Sequence, residues 1–146
     1  MNNYFVILAA GKSKRFHKKI PKQFYYYKNK EIIDHSIDKS LNSKLFRKII
    51  IVTGYPNFFK KKKYPKSVVI IKGGKERSDS SLKALEYLKK YKPKNVFVHD
   101  AARPNFSMKL LKNIAKNLKN NKAVVPAVNS KDSIKYKTQN VISNLK

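Results

Sequence analysis

The sequence contains no cysteine, which excludes a disulfide framework, a thiolate metal site and a cysteine nucleophile. Its three histidines, His17, His35 and His99, show no metal-ligand spacing. No apolar run approaches membrane-spanning length, and Met1-Asn2-Asn3-Tyr4 leading into a short strand is not a signal peptide, so the cytoplasm is the expected compartment. Acidic residues are scarce, 8 against 35 basic ones, for a formal net charge of +27. An excess of that size ordinarily suggests a polyanion partner. Yet 31 of the 35 are Lys, scattered among many Asn and Ile, and compositional drift explains this better than a nucleic-acid face. Nucleic-acid readers also carry Arg, whose planar fork pairs with phosphate and base edges.

The scarcity of arginine is informative in turn. Arg15, Arg77 and Arg103 each sit in a turn marked by Gly, Ala or Pro, and only Arg47 stands at the mouth of an apolar strand. In a chain that uses Lys nearly everywhere, a surviving Arg suggests a site where bidentate geometry matters.

What is present is one domain's worth of chain: 146 residues, 41% hydrophobic, with clear apolar runs that argue against disorder. Tyr4–Leu8 is apolar and β-branched-rich, the pattern of a strand buried on both faces. Ala9, Ala10 and Gly11 follow, small enough for the backbone to approach a ligand closely. Then come Lys12, Lys14 and Arg15, and after Pro21, Lys22. Such a turn, followed by one Arg and one Lys, suits a polyphosphate held by amides and clamped by two cations; Lys12 and Lys14 read as ordinary solvated lysines. Gly11-Lys12-Ser13 is not a P-loop, because that motif needs a Gly at position 6, which is Val.

Further along, Gln23–Lys30 reads as a loop or short edge strand and Glu31–Leu41 as a helix on Ile33, Ile37 and Leu41. Lys48–Thr53 and Ser67–Ile71 are strands flanking a solvated basic segment, Asn57–Lys66. Ser78 or Asp79 caps a helix with Leu82, Leu85 and Leu88 on one side. Asn95–Val98 is a fourth strand. A helix over 107–118 buries Leu110, Leu111, Ile114 and Leu118, and Ala123–Val128 is a fifth strand. This alternation implies an α/β fold, a Rossmann-like, mostly parallel sheet with helices on both faces. The nucleotide-binding core is expected over 1–128, with the start of a short extended β-arm over 129–146. Ligands of such sheets bind beyond the strands' carboxyl ends, here Ala9–Gly11, Gly73-Gly74 and His99–Arg103.

Two of those ends carry recognisable chemistry. Gly73-Gly74-Lys75-Glu76-Arg77-Ser78-Asp79-Ser80-Ser81 joins strand to helix. Two glycines there open backbone conformations closed to other residues, from which main-chain groups can read a flat base edge-on; a plain Gly turn followed by a helix N-cap is the favoured alternative for this segment taken alone. In His99-Asp100-Ala101-Ala102-Arg103-Pro104, Asp100 is placed to position a metal-phosphate or a ribose, and Arg103 to clamp an anion. A buried Asp–Arg ion pair tying the loop is the plainer reading.

Taken together, Leu8-Ala9-Ala10-Gly11, Arg15, Pro21-Lys22-Gln23-Phe24, Gly73-Gly74, Arg77, Ser80, Val98–Pro104 and Pro126-Ala127-Val128 with Asp132-Ser133-Ile134-Lys135 resemble the 2-C-methyl-D-erythritol 4-phosphate cytidylyltransferase family. The resemblance implies a homodimeric α/β enzyme of the nucleotidyltransferase type. It joins CTP to methylerythritol phosphate with Mg2+ and releases pyrophosphate, in non-mevalonate isoprenoid synthesis. By position, Arg15 and Lys22 stabilise charge on the α-phosphate, and Ala9, Ala10 and Gly11 line the nucleotide. Gly73, Gly74, Lys75 (through its backbone) and Ser80 lie near the cytosine, with Ala101 beside the sugar. Asp100 and Arg103 face the second substrate and the ribose, Asp100 also being the one candidate to touch the metal, which is otherwise carried by the triphosphate. Ser133 reaches from the arm into the partner subunit's site.

The sequence departs from the family pattern at Ser13, where a Gly is usual, at Lys75, where an Asp is common, and at Ser133, where a Thr is usual. The family also continues well past position 146, so the chain is expected to represent its N-terminal part. A ribitol 5-phosphate enzyme is the sister reading, disfavoured by Ala10 before Gly11 and by Ala101-Ala102. An inactive nucleotide-binding fragment and a basic nucleic-acid binder are the two remaining readings. Neither nucleic acid nor a membrane is an expected partner.

Overall fold

In the computed structural model of the chain we describe residues 2–13 and 20–129, with the strands at 135–138 and 141–144. The chain divides into two compact units, Met1–Leu111 and Lys112–Lys146.

The first unit is built on a parallel sheet. β1 (Asn3–Ala9) is central; β4 (Lys48–Thr53) and then β5 (Val68–Lys72) lie on one side of it and β6 (Asn95–Asp100) on the other. Val6 stands between Ile50 of β4 and Val98 of β6. β1 is apolar at nearly every position because both its faces are covered. Alternation along the strand sends Tyr4 and Val6 to one face, where they pack with Ile50, Val52, Ala84 and Leu88. Phe5 and Ile7 take the other, where the Phe5 ring meets Phe46, His99 and Phe106. A small hairpin, β2 (Tyr26–Tyr27) with β3 (Lys30–Glu31), leads into α1 (Ile32–Asn42). Lys28 and Asn29 at its tip both have positive φ, as a two-residue hairpin turn requires.

The helix α1 buries Ile33 and Ile37 as the spacing predicts. The following basic segment is less solvated than its composition suggests. Pro56–Phe59 forms a 3-10 turn whose Phe58 stacks on Phe24 at 4.1 Å, and Lys62 reaches both Glu31 and Asp34. Burial opposes the charge of Lys62, but those two carboxylates outweigh it and hold its pKa above the ordinary value.

The helix α2 (Arg77–Lys89) departs from expectation twice. Its N-cap is Glu76, not Ser78 or Asp79; Asp79 is the third helical residue and closes a reciprocal capping box with Glu76. Its buried stripe is Ser80, Ala84 and Leu88, four apart, while Leu82 and Leu85 are exposed. Two small residues on that stripe bring the helix close to the sheet, and only the last turn spends a leucine there.

The helix α3 (Met108–Asn117) starts in the first unit and runs into the second. Of the four residues expected in its core only Leu111 is buried; Leu110, Ile114 and Leu118 are part-exposed. The fifth strand, Ala123–Val128, does not form: these residues belong to no ladder, and Val125 and Val128 are 84% and 94% exposed. Pro126 in the middle of so short a run has no amide hydrogen to give. Within the second unit, β7 (Lys135–Thr138) and β8 (Val141–Asn144) pair as an antiparallel hairpin.

Candidate functional site

The carboxyl ends of β1, β5 and β6 open onto one cavity of about 230 Å³. Leu8, Ala10, Gly11 and Lys12 line it from the end of β1, Gly74–Arg77 and Ser80 from the β5–α2 turn, and Asp100 from β6. Side chains of both signs meet there: Lys12, Lys75 and Arg77 against Glu76 and Asp100. Lys12 therefore borders the site rather than being merely a solvated lysine.

The floor depends on how closely the turns approach each other. A Cβ at Gly73 would lie 2.4 Å from Ala10 Cβ, and one at Gly74 would lie 2.2 Å from Asp79 Cβ. Neither glycine has positive φ. They are therefore required for close approach, and the special backbone conformation expected of them is not used. Gly11 differs, since a Cβ there would meet nothing within 4 Å. The turn is pinned by Ser80, buried on the first turn of α2, whose Oγ accepts the Gly74 amide hydrogen at 3.0 Å.

At the β6 end Asp100 forms the ion pair of the plainer reading, but at the surface rather than buried. Arg77 Nε donates to its Oδ1 at 3.1 Å, and Arg103 Nε lies 3.4 Å from its Oδ2. The pair is not buried: both guanidinium groups are largely exposed, with donors left over for an anion. Both Asp100 oxygens are already engaged, and no group of three or more His, Cys, Asp or Glu side chains among the described residues stands ready for a metal ion. The cavity's own carboxylates, Asp100 and Glu76, would supply at most two protein ligands, so a metal ion there would take most of its ligands from a bound polyphosphate. Next to Asp100, His99 is held by ring contact with Phe106 and faces Ser36 Oγ at 3.3 Å. Burial lowers its pKa, with Arg103 and Lys39 adding to the effect and Asp100 and a backbone hydrogen bond at Arg103 opposing it.

Lys22 opens a 3-10 turn, Lys22–Phe24, that buries Gln23 and Phe24 and leaves Lys22 exposed, outside the cavity lining. The Gln23 amide donates to the Ala9 and Gly11 carbonyls at 2.9 and 3.1 Å. In the sequence Gln23 stands out only as part of a matching segment, and nothing local marks its amide as buried.

The family description "IspD: 2-C-methyl-D-erythritol 4-phosphate cytidylyltransferase" matches residues 4–146, nearly the whole chain. The chain belongs to this cytidylyltransferase family. It is 46% identical over 148 residues to the bifunctional enzyme IspD/IspF of Pelagibacter ubique, covering 100% of this chain and 40% of that one. It is 33% identical to the 2-C-methyl-D-erythritol 4-phosphate cytidylyltransferase of Thermotoga neapolitana, over 90% of this chain and 61% of that one. The Francisella tularensis 2-C-methyl-D-erythritol 4-phosphate cytidylyltransferase crystal structure aligns with a TM-score of 0.78 at 30% identity, covering 100% of this chain and 66% of that one. The chain thus spans between 40% and 66% of the length of these three proteins.

Of the positions carried over from the cytidylyltransferase family, Ala10, Gly11, Gly74, Lys75, Ser80 and Asp100 come together around the cavity. Ala9 and Ala101 are buried next in sequence to the lining residues Ala10 and Asp100, Gly73 packs against Ala10 and Ser80, and Arg103 joins through Asp100. Arg15 and Ser133 lie outside the described residues. Arg77 is legible in the sequence as a surviving arginine in a glycine turn and as part of a matching segment; that it shares Asp100 with Arg103 depends on the fold. No helix among the described residues is long and apolar enough to cross a membrane.

Proposed function

We propose that the protein transfers a cytidylyl group from CTP to 2-C-methyl-D-erythritol 4-phosphate in non-mevalonate isoprenoid synthesis, as a homodimer in the cytoplasm. The observation that carries this reading is the cavity itself: a small-residue floor, a Gly turn, three cationic side chains and the Arg77–Asp100–Arg103 bracket at three strand ends. A phosphate oxygen of the acceptor attacks the α-phosphorus of CTP, forming one P–O bond while the bond to the β-phosphate oxygen breaks and pyrophosphate leaves. The nucleophile is already an anion, so no base is required, and the protein's work is positioning and charge neutralisation.

In this reading Arg15 and Lys22 neutralise the charge that builds on the α-phosphate. Ala9–Gly11 carry the triphosphate, and Gly73, Gly74, the Lys75 backbone and Ser80 hold the cytosine. Ala101 lies against the sugar, while Asp100 and Arg103 orient the ribose and the acceptor. Mg2+ enters with the triphosphate, as part of the substrate. Ser133 serves the partner subunit's site.

Turnover tests this directly. The protein is supplied with CTP, Mg2+ and either methylerythritol phosphate or ribitol 5-phosphate, and pyrophosphate release is followed. Release with methylerythritol phosphate is expected. Faster release with ribitol phosphate assigns the sister activity, and CTP binding without release identifies a nucleotide-binding chain. Steeply salt-dependent polynucleotide binding with no preference for CTP would overturn the enzymatic reading.

A further inference from the structure

Ser13 has φ +51°, a left-handed conformation that favours Gly, and it is the only residue of the loop after β1, among those described, to adopt it. Its hydroxyl has two partners in that conformation. Ser13 Oγ accepts the Lys22 amide hydrogen at 3.1 Å and donates to Gln23 Oε1 at 3.2 Å. The other end of the same Gln23 side chain donates to the Ala9 and Gly11 carbonyls. Both hydrogens of the Gln23 amide and one acceptor site of its oxygen are thus taken up by the loop it crosses, and Gln23 itself is only 4% exposed. Phe24, stacked on Phe58, fixes the far side of the same turn.

We infer that Ser13 and Gln23 form a tether that sets the backbone of Lys22 against the Ala9–Gly11 floor, and so are positioning residues for the Lys22 charge. The inference rests on the nucleotide reading above. Its physical content is preorganisation. Lys22 begins an exposed side chain whose reach is useful only if its Cα is held relative to the floor. The sequence interval between positions 13 and 22 is closed by one hydroxyl and one amide. Without the hydroxyl, the Lys22 amide loses its acceptor and Gln23 Oε1 loses its donor, while the Ala9 and Gly11 contacts persist. The floor is kept and the link to Lys22 is lost.

The test compares Ser13→Gly with Ser13→Asn, measuring CTP binding in the presence of Mg2+ by calorimetry and melting temperature by circular dichroism. Gly and Asn enter the left-handed conformation more readily than other residues, so neither variant adds backbone strain over Ser. Asn alone offers an acceptor for Lys22 and a donor for Gln23. Ser13→Gly is expected to weaken CTP binding about three- to tenfold, the worth of one hydrogen bond, with Ser13→Asn restoring it. In a Lys22→Ala background, Ser13→Gly is expected to cause no further loss, because its effect acts through Lys22. Equal CTP affinity for wild type, Ser13→Gly and Ser13→Asn overturns the tether, as does a full additional loss in the Lys22→Ala background. If the wild-type protein binds no CTP, the nucleotide reading fails and the tether with it. Gln23→Glu, which cannot donate to the two carbonyls, provides a second probe if it folds, and its CTP affinity is expected to fall at least as far.

Discussion

Arg77 Nε and Asp100 Oδ1 meet at 3.1 Å although 23 residues separate them in the chain, joining the β5–α2 turn to the end of β6. An exposed ion pair of this kind contributes little to stability, about 0–1 kcal/mol. What it fixes is orientation: Asp100 also stands 3.4 Å from Arg103 Nε and so ties two guanidinium groups together, that of Arg77 on the cavity lining. Asp100→Ala is therefore expected to leave the melting temperature nearly unchanged and to lower kcat/KM by about a hundredfold, the scale of a misplaced substrate group. A loss of stability matching the loss of activity would contradict this.

The three glycines at the cavity are expected to separate in a thermal denaturation series. Gly73→Ala and Gly74→Ala push a methyl into Ala10 and Asp79 and should cost about 1–3 kcal/mol each. Gly11→Ala places its methyl in open space on the cavity lining, so stability should hold while CTP affinity falls.

His99 makes stability depend on pH. Its folded-state pKa lies below the ordinary value near 6.5 because burial disfavours the imidazolium. The unfolded chain then binds the proton more readily, so stability present above about pH 6.5 is lost as pH falls through the folded-state pKa. Urea melts at stepped pH values should show this loss for the wild type and a flatter profile for His99→Gln.

Lys22→Ala is expected to lower turnover by about 10²–10³, the usual loss for one transition-state donor, without affecting the fold, because Lys22 is exposed. Single-turnover kinetics beside a melting curve checks both halves.

Lys62→Met is expected to destabilise the first unit by about 1–3 kcal/mol. It strips the cation from Glu31 and Asp34, which are only 12% and 20% exposed. Chemical denaturation reads the difference, and Tyr64, whose hydroxyl donates to Asp34 at 3.0 Å, should share in the loss.

The four sheet strands and the helix α1 were legible because burial on two faces, or on one stripe, leaves a periodic trace in consecutive residues. The α2 stripe was misread because leucines three apart imitate a core face, whereas the buried positions are Ser80, Ala84 and Leu88. Ala123–Val128 was read as a strand from its apolar residues, but strand formation also needs a partner edge and an amide that Pro126 lacks. In the site, Ala10, Gly11, Gly74 and Asp100 were legible as small or charged residues at strand ends. The place of Lys12 on the cavity lining and the Gln23 contacts to Ala9 and Gly11 are not legible, and Arg77, though marked as a surviving arginine, gives no sign in the sequence that its partner is Asp100.

By themselves, the residues of this chain determined an alternating α/β fold, the strand ends where ligands gather, and the family to which its motifs belong, because these are properties of local pattern. Only tertiary structure decided which groups meet across those ends: Gln23 on the carbonyl of Ala9 14 residues away, Arg77 on Asp100, and His99 beside Ser36 63 residues away. Such meetings depend on strand order and register, which bring distant segments together through the packing of the whole sheet, and no local stretch of sequence carries that information.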